Sequence, residues 1–251
     1  PNPNVRFIKE FYSEEHGNLK ADCICCRHTL EHIHGTGDFL KTIRKSIGTR
    51  EDIILFFEIP SIMRILKIQA FWDIFYELCT YMSPGSLARL FRLNGFEVLD
   101  MYLEYDEQYL FIEAKPVNKL SEKIHPLEES IDELKDLTKV FTTKINETLE
   151  LWKNRFAELR EKKLKTVIWG GGSKSVGFLT HFDKEKVISH VIDINPHMKG
   201  NYIPGIGMQY SGPEFLKEFK PDVVIIMNSV YTEEIRKTLN EMGLNPTLIG
   251  L

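Results

Sequence analysis

The chain has 251 residues, 43% hydrophobic and 27% charged, enough to bury the core of one large domain or two modest ones, which excludes disorder as the main state. Thirty-two Lys and Arg against 36 Asp and Glu leave a formal charge of -4 and a pI near 6.1, so no broad basic surface exists to grip a nucleic-acid backbone. The most apolar stretch, 53–75, is interrupted by Glu58, Pro60, Arg64 and Lys67, which removes a membrane span from consideration.

Short apolar runs at 21–26 and 52–58 are continuous, the pattern of strands buried on both faces of a parallel sheet, with 37–47 as the crossover helix between them. Helices are therefore expected on both faces. Cys23, Cys25 and Cys26 read as core of the first run, and four cysteines are too few for a disulfide framework, which fits a reducing, cytoplasmic address. Ser83 and Pro84 open a helix that runs to Leu93, where Asn94-Gly95 stops it. Strands at 96–103 and 108–114 follow as an antiparallel hairpin. Between 117 and 163 acidic and basic residues balance, and Leu127, Ile131, Leu134, Leu137, Phe141, Ile145, Leu149, Trp152, Phe156 and Leu159 step by three or four. One long connecting helix, continuous or broken once, is the reading; a self-associating coiled coil is the alternative. From 165 a second α/β unit begins, with four parallel strands expected at 166–169, 187–193, 222–227 and 247–250 and helices at 174–182, 213–219 and 232–242.

Trp169-Gly170-Gly171-Gly172-Ser173-Lys174 lies between a predicted strand and a predicted helix, where glycines admit an anion to unpaired N–H groups. It reads as a phosphate-binding turn, or as a tight turn serving packing alone. Asp193 closes the next strand 23 residues after Gly170, near the spacing at which a dinucleotide fold sets an acid on the ribose, although Ser175 stands where the third glycine belongs. An NAD(P)-dependent oxidoreductase, or a non-catalytic nucleotide-binding protein, is the alternative these residues raise.

Arg27-His28-Thr29-Leu30-Glu31-His32-Ile33 follows directly on the first buried run, at the carboxyl end where open α/β sheets bind ligands. His28 and His32 converge on a metal only if the segment is helical, and no third ligand set accompanies them, so no metal is assigned; histidines capping strands or touching a cofactor are the commoner readings. Trp72, Asp73, Phe75, Tyr76, Glu77 and Tyr81 form a segment too aromatic for an ordinary loop. It either walls a substrate pocket or packs a helix onto the sheet.

The order Cys26-Arg27-His28-Thr29-Leu30-Glu31-His32-Ile33, Phe57-Glu58-Ile59-Pro60, Tyr76-Glu77, Tyr81, Ser86-Leu87-Ala88-Arg89-Leu90-Phe91, Gly95-Phe96-Glu97-Val98 and Gln108-Tyr109-Leu110 resembles the S-adenosylmethionine-dependent C-methyltransferases that act on nucleotide-linked deoxysugars. Trp169-Gly170-Gly171-Gly172-Ser173-Lys174, Asp193-Ile194-Asn195-Pro196, Lys199-Gly200, Tyr202-Ile203-Pro204-Gly205, Pro221-Asp222-Val223-Val224-Ile225-Ile226 and Tyr231-Thr232-Glu233-Glu234-Ile235 resemble that family's C-terminal domain. The resemblance implies an α/β fold: the later strands of a class I methyltransferase Rossmann-like sheet over 1–116, a connecting helix over 117–164, and a second Rossmann-like domain over 165–251. It also implies S-adenosylmethionine as cofactor and a nucleotide-linked sugar as substrate, with no nucleic-acid or membrane partner. The cysteine-rich zinc module, the first three strands and the glycine turn for the methionine moiety belong ahead of the region seen here, so the chain is expected to be a C-terminal part or to be completed by another chain.

Where the family has a tyrosine-tyrosine-glutamate-histidine run, this chain has Phe75-Tyr76-Glu77-Leu78, and a leucine cannot take a proton. The resemblance therefore implies that His28, His32, Tyr76 or Glu77 serves the proton transfer, or that the acceptor needs no such base. By the same resemblance Arg27, His28 and His32 line the cofactor side, while Glu58, Tyr76, Glu77 and Tyr81 face the acceptor. The C-terminal domain is expected to clamp the nucleotide, with Gly170, Gly172, Ser173 and Lys174 near phosphate and Asn195, Tyr202, Asn228 and Tyr231 around the crevice.

Overall fold

The computed structural model describes residues 2–120 and 122–251. Its contacts divide the chain into two compact units: residues up to Ile62 together with Leu78–Glu133, and Met63–Glu77 together with Leu134–Leu251. Among the described residues no helix is long and apolar enough to cross a membrane.

The first unit is built on strands β1 (Cys23–Arg27), β2 (Ile54–Pro60), β3 (Phe96–Glu104) and β4 (Tyr109–Pro116), in the spatial order β1-β2-β4-β3. β1 and β2 are parallel, as the crossover through α1 (Thr36–Ile47) requires, and the hairpin β3–β4 pairs antiparallel to β2. Every second residue of the sheet, among them Leu55, Phe57, Ile59, Leu110 and Ile112, meets Leu40 and Ile43 of α1 and, beyond α2 (Ile62–Ile68), Leu87 and Phe91 of α3 (Pro84–Leu93). The α3 helix starts where its sequence asks, with Ser83 accepting from the Ser86 amide and Pro84 in the first turn.

The opposite face corrects the sequence reading of Cys23 and Cys25. Both are exposed, because β1 pairs with β2 alone among the described residues and its outward face carries Cys23, Cys25 and Arg27 in alternation. Only Ile24 and Cys26 turn to the core side, and burial pushes the Cys26 thiol up to about 11, so it behaves as a small apolar residue.

The second unit carries a five-stranded parallel sheet of order β7-β6-β5-β8-β9, with β5 (Thr166–Trp169), β6 (Ile188–Ile192), β7 (Tyr210–Ser211), β8 (Val223–Ile226) and β9 (Thr247–Gly250). One more strand is present than the four expected: β7, only two residues long, gives no periodic signal. Ile168, Val191 and Ile225 face Trp152, Phe156 and Leu159 from α4 (Ile131–Glu161) and Phe178 from α5 (Ser173–Phe182). Val167, Ile192 and Val224 face Leu216 from the short α6 (Leu216–Phe219) and Ile235 and Leu239 from α7 (Thr232–Glu241). This two-sided cover explains the uninterrupted apolar runs of β5 and β8. The long helix begins at Ile131, so Leu127 lies before it.

The 63–77 segment belongs to this second unit. After α2 the chain makes a 3-10 turn, Phe71–Asp73, that packs on α5.

Candidate functional site

In the first unit the chemistry gathers at the carboxyl ends of β1 and β2. Arg27 and Glu58 are register neighbours on these strands, and the Arg27 Nε–H donates to Glu58 Oε2. Glu58 is only 1% exposed, so its charge is held by this pair. His28 follows with φ +48, in the left-handed region, its backbone N–H donating to the Glu58 carbonyl at 3.0 Å. That geometry turns the imidazole back over the strand ends, placing Nε2 2.9 Å from Glu58 Oε1 and Nδ1 3.9 Å from Glu31 Oε1. Tyr109 closes one side of the ring at 4.7 Å.

Glu31, which the motif reading noted in this run without giving it a role, is 3% exposed, and among the described residues its Oε2 has no hydrogen-bond partner. Burial pushes its carboxyl up. Ser61 Oγ and Thr80 Oγ1 are likewise buried without partners among the described residues, and the Thr80 amide donates to the Glu31 carbonyl at 3.2 Å, which ties this strand-end region to the 79–82 stretch. Buried polar atoms left unpaired are costly, and these three offer hydrogen-bonding groups to a water or a polar ligand. The 3-10 turn at Leu30–His32 leaves His28 outside any helix, which removes the four-residue convergence of His28 and His32. His32 is exposed, Tyr81 is half-buried, and Leu78 is buried.

In the second unit the glycine turn joins β5 to α5. Gly170 has φ +104, a conformation that L side chains rarely adopt. Gly171 is sealed from both sides. Its N–H donates to Asp193 Oδ2 at 2.8 Å, its carbonyl accepts from the Tyr210 hydroxyl at 2.7 Å, and a Cβ there would meet the Tyr210 ring at 2.1 Å. Asp193 Oδ1 accepts from the Asn195 amide at 2.8 Å. One oxygen of the acid read for a ribose thus braces the glycine turn, and the other holds the bend after β6. Ser175, standing where a third glycine belongs in the dinucleotide pattern, is fully buried and donates to the Gly172 carbonyl at 2.7 Å.

Gly172 caps α5, with open space where its Cβ would be, and Ser173 and Lys174 form the first turn. The Lys174 Nζ lies 2.7 Å from Asp73 Oδ1. Two hollows flank this region. One, of about 300 Å³, opens where the strand order reverses between β5 and β8, and it collects Gly170, Asn228 and Tyr231 beside Asp193, Ile194 and Glu234. The other, of about 370 Å³, runs between Tyr76 and Glu77 and the Ser173, Gly177 and His181 face of α5. Asn195 and Tyr202 line neither hollow; Asn195 Oδ1 accepts from the His197 amide and Tyr202 is 63% exposed.

A four-stranded unit with its polar cluster at the strand ends, followed by a doubly wound sheet with a crevice at its switch point, is the architecture of a methyltransferase with an added Rossmann-like domain. Residues 2–101 match the family described as a methyltransferase domain, and residues 113–245 match the C-methyltransferase C-terminal domain. The second match covers more than half of the 251 residues, and the chain belongs to that C-methyltransferase family. It is a methyltransferase. No curated protein matches the chain.

Proposed function

We propose that the protein transfers a methyl group from S-adenosylmethionine to a carbon of a nucleotide-linked sugar or related polyol, with His28 as the base. The observation that carries this reading is the Arg27–Glu58–His28 arrangement at the ends of β1 and β2. Glu58 accepts from Nε2–H, which leaves Nδ1 as the basic nitrogen on a ring whose side chain is 44% exposed. Leu78, in the family's histidine position, is buried and cannot take the proton.

The donor set fits a cationic cofactor. Glu31, buried at the strand ends with Oε2 unpaired among the described residues, offers an acceptor where Arg27, His28 and His32 are proposed to line the cofactor side, while Glu58 is already paired with Arg27 and His28. When bound, S-adenosylmethionine supplies an electrophilic methyl. The protein's part is to orient His28 through Glu58, whose two oxygens are taken by Arg27 and His28, and to take the acceptor's proton at Nδ1; Tyr81 in the first unit and Tyr76 and Glu77 in the second are each read as acceptor contacts. In the second unit, Gly170, Gly172, Ser173 and Lys174 are read as the phosphate side and Asn195, Tyr202, Asn228 and Tyr231 as the surroundings of the crevice. A nucleobase between Ile194 and Tyr231 suits its apolar walls.

The test is transfer of isotope-labelled methyl from S-adenosylmethionine to a panel of nucleotide-linked keto-sugars by the full-length protein. His28→Asn and Glu58→Gln are expected to lower the rate on the order of 10²-fold or more, as loss of a general base does. Transfer that survives His28→Asn unchanged would assign the proton to another group; transfer only to acceptors lacking a nucleotide would overturn the clamp.

A further inference from the structure

The 70–77 stretch is tied to α5 by two links, both inside the second unit. One is aromatic. Phe71 lies parallel to Phe178 at 6.2 Å, meets Phe182 edge-on at 5.4 Å and leans on His181 at 6.2 Å. The other is ionic: Asp73 places Oδ1 2.7 Å from Lys174 Nζ and Oδ2 3.6 Å from Arg64 Nη1, with side-chain exposures of 14%, 25% and 8% for Asp73, Lys174 and Arg64. At those exposures the pair is shielded from water better than a surface salt bridge, which makes it a specific fastening.

The backbone transmits the fastening. The Asp73 N–H donates to the Ala70 carbonyl and the Ile74 N–H to the Phe71 carbonyl, both at 3.0 Å, so fixing Phe71 and Asp73 fixes the direction in which the chain leaves toward Tyr76 and Glu77. Those two residues, with Tyr76 99% exposed, border a hollow whose other side is Ser173, Gly177 and His181 of α5. The lysine that holds Asp73 is also the one read above as the phosphate partner.

We propose that Phe71 and Asp73 are positioning residues that hold Tyr76 and Glu77 over α5, and that an anion arriving at the first turn of α5 competes with Asp73 for Lys174 and loosens the acceptor-side segment. The competition half rests on the reading of Lys174 as a phosphate partner; the fastening half does not. A phosphate group brings more charge than one carboxylate and meets the α5 N-terminus as well as the ammonium, which is the basis of the competition.

The experiment is hydrogen exchange on the full-length protein, read by mass spectrometry over 70–80, with inorganic pyrophosphate as probe. Without the probe, Asp73→Asn and the milder Phe71→Leu are expected to speed exchange at 74–77 by about threefold or more, with β5 and β8 unchanged. Pyrophosphate should speed the same amides in the parent protein and add nothing in Asp73→Asn. Its affinity should tighten about two- to fivefold in Asp73→Asn, the reciprocal of losing a competing pair worth up to about 1 kcal/mol, and return to the parent value in Asp73→Glu. A merely structural Asp73 predicts weaker binding instead, and that result overturns the proposal. Unchanged exchange at 74–77 in both variants overturns the fastening. Absence of pyrophosphate binding in parent and Asp73→Asn alike overturns the competition and the phosphate reading of Lys174, while the exchange comparison still judges the fastening.

Discussion

At Gly171 the space for a side chain is already taken. A Cβ would sit 2.1 Å from Tyr210 Cε1, whereas at Gly172, one residue on, nothing lies within 4 Å. Gly171→Ala should therefore push the Tyr210 ring off its bond to the Gly171 carbonyl and cost about 1–3 kcal/mol, while Gly172→Ala should stay within roughly 0.5 kcal/mol. Equal shifts in thermal midpoint for the two variants would contradict this contrast. The glycine run and Asp193 were legible in the sequence as a turn and an acid at suggestive spacing. The role of Asp193 was not, because it depends on Tyr210, which comes from the far end of an irregular loop and leaves no periodic trace. A second acid was also invisible. Asp183, after α5, is 8% exposed and accepts from the Val187 and Ile188 amides, yet burial pushes its carboxyl up to about 6. Because the folded value lies above the ordinary 3.8, the folded state holds the extra proton between them, and the group's contribution is full at low pH and lost as pH rises through 6. Asp183→Asn keeps an acceptor for those amides without the charge. Its thermal midpoint should match the parent near pH 4 and exceed it above pH 6; a deficit at pH 8 would show that the anion is needed.

Elements were read from their own signals where those signals are local. The Ser83-Pro84 start, the Asn94-Gly95 stop and the hairpin after them fall within a residue or two of the structure, since caps and turns are decided by a few adjacent side chains. The β1 strand was misjudged for the opposite reason: whether an apolar run is covered on both faces depends on its neighbours, and Cys23 and Cys25 are exposed. What holds α3 to the stretch beyond β4 was equally hidden. Arg92, in its last turn, makes two bonds of 2.7 Å to the carboxylate of Glu128, whose side chain is only 5% exposed. Burial alone would raise the Glu128 carboxyl, but the Arg92 bonds and the His125 amide hold it below its ordinary 4.5. The folded value is depressed, so this contribution is present above pH 4.5 and is lost as pH falls through the lower folded value. Arg92→Ala leaves a buried carboxylate without its partner and should cost the first unit about 1–3 kcal/mol at pH 7, with the gap narrowing under acid. Urea unfolding at pH 7 and pH 4 checks it, and a gap that widens at pH 4 would refute the assignment.

Across the whole molecule the chemistry-bearing residues fall into two groups. Arg27, His28, Glu31 and Glu58 stand in the first unit, and the glycine turn, the crevice and the Tyr76–Glu77 segment in the second. The allotment of 63–77 could not be read from sequence, because it is decided by where Phe71 and Asp73 find partners about a hundred residues later. The division also separates the methyltransferase reading from the dinucleotide one. A dinucleotide sets its ribose on an acid at the end of β6, and here each oxygen of Asp193 already accepts one backbone N–H. Each oxygen keeps a further lone pair, so a ribose that claims Asp193 either shares these oxygens or displaces the Gly171 amide, and displacement leaves that amide unpaired at a net cost of about 1–3 kcal/mol. Hydrogen exchange on the full-length protein should show S-adenosylhomocysteine slowing amides at 27–32 and 58–61, uridine diphosphate slowing those at 170–174 and 228–231, and oxidised nicotinamide dinucleotide slowing neither set. Protection of 192–195 by the dinucleotide would mean that Asp193 exchanges its backbone partners for a ribose, and the second unit would then have to be read as a cofactor domain.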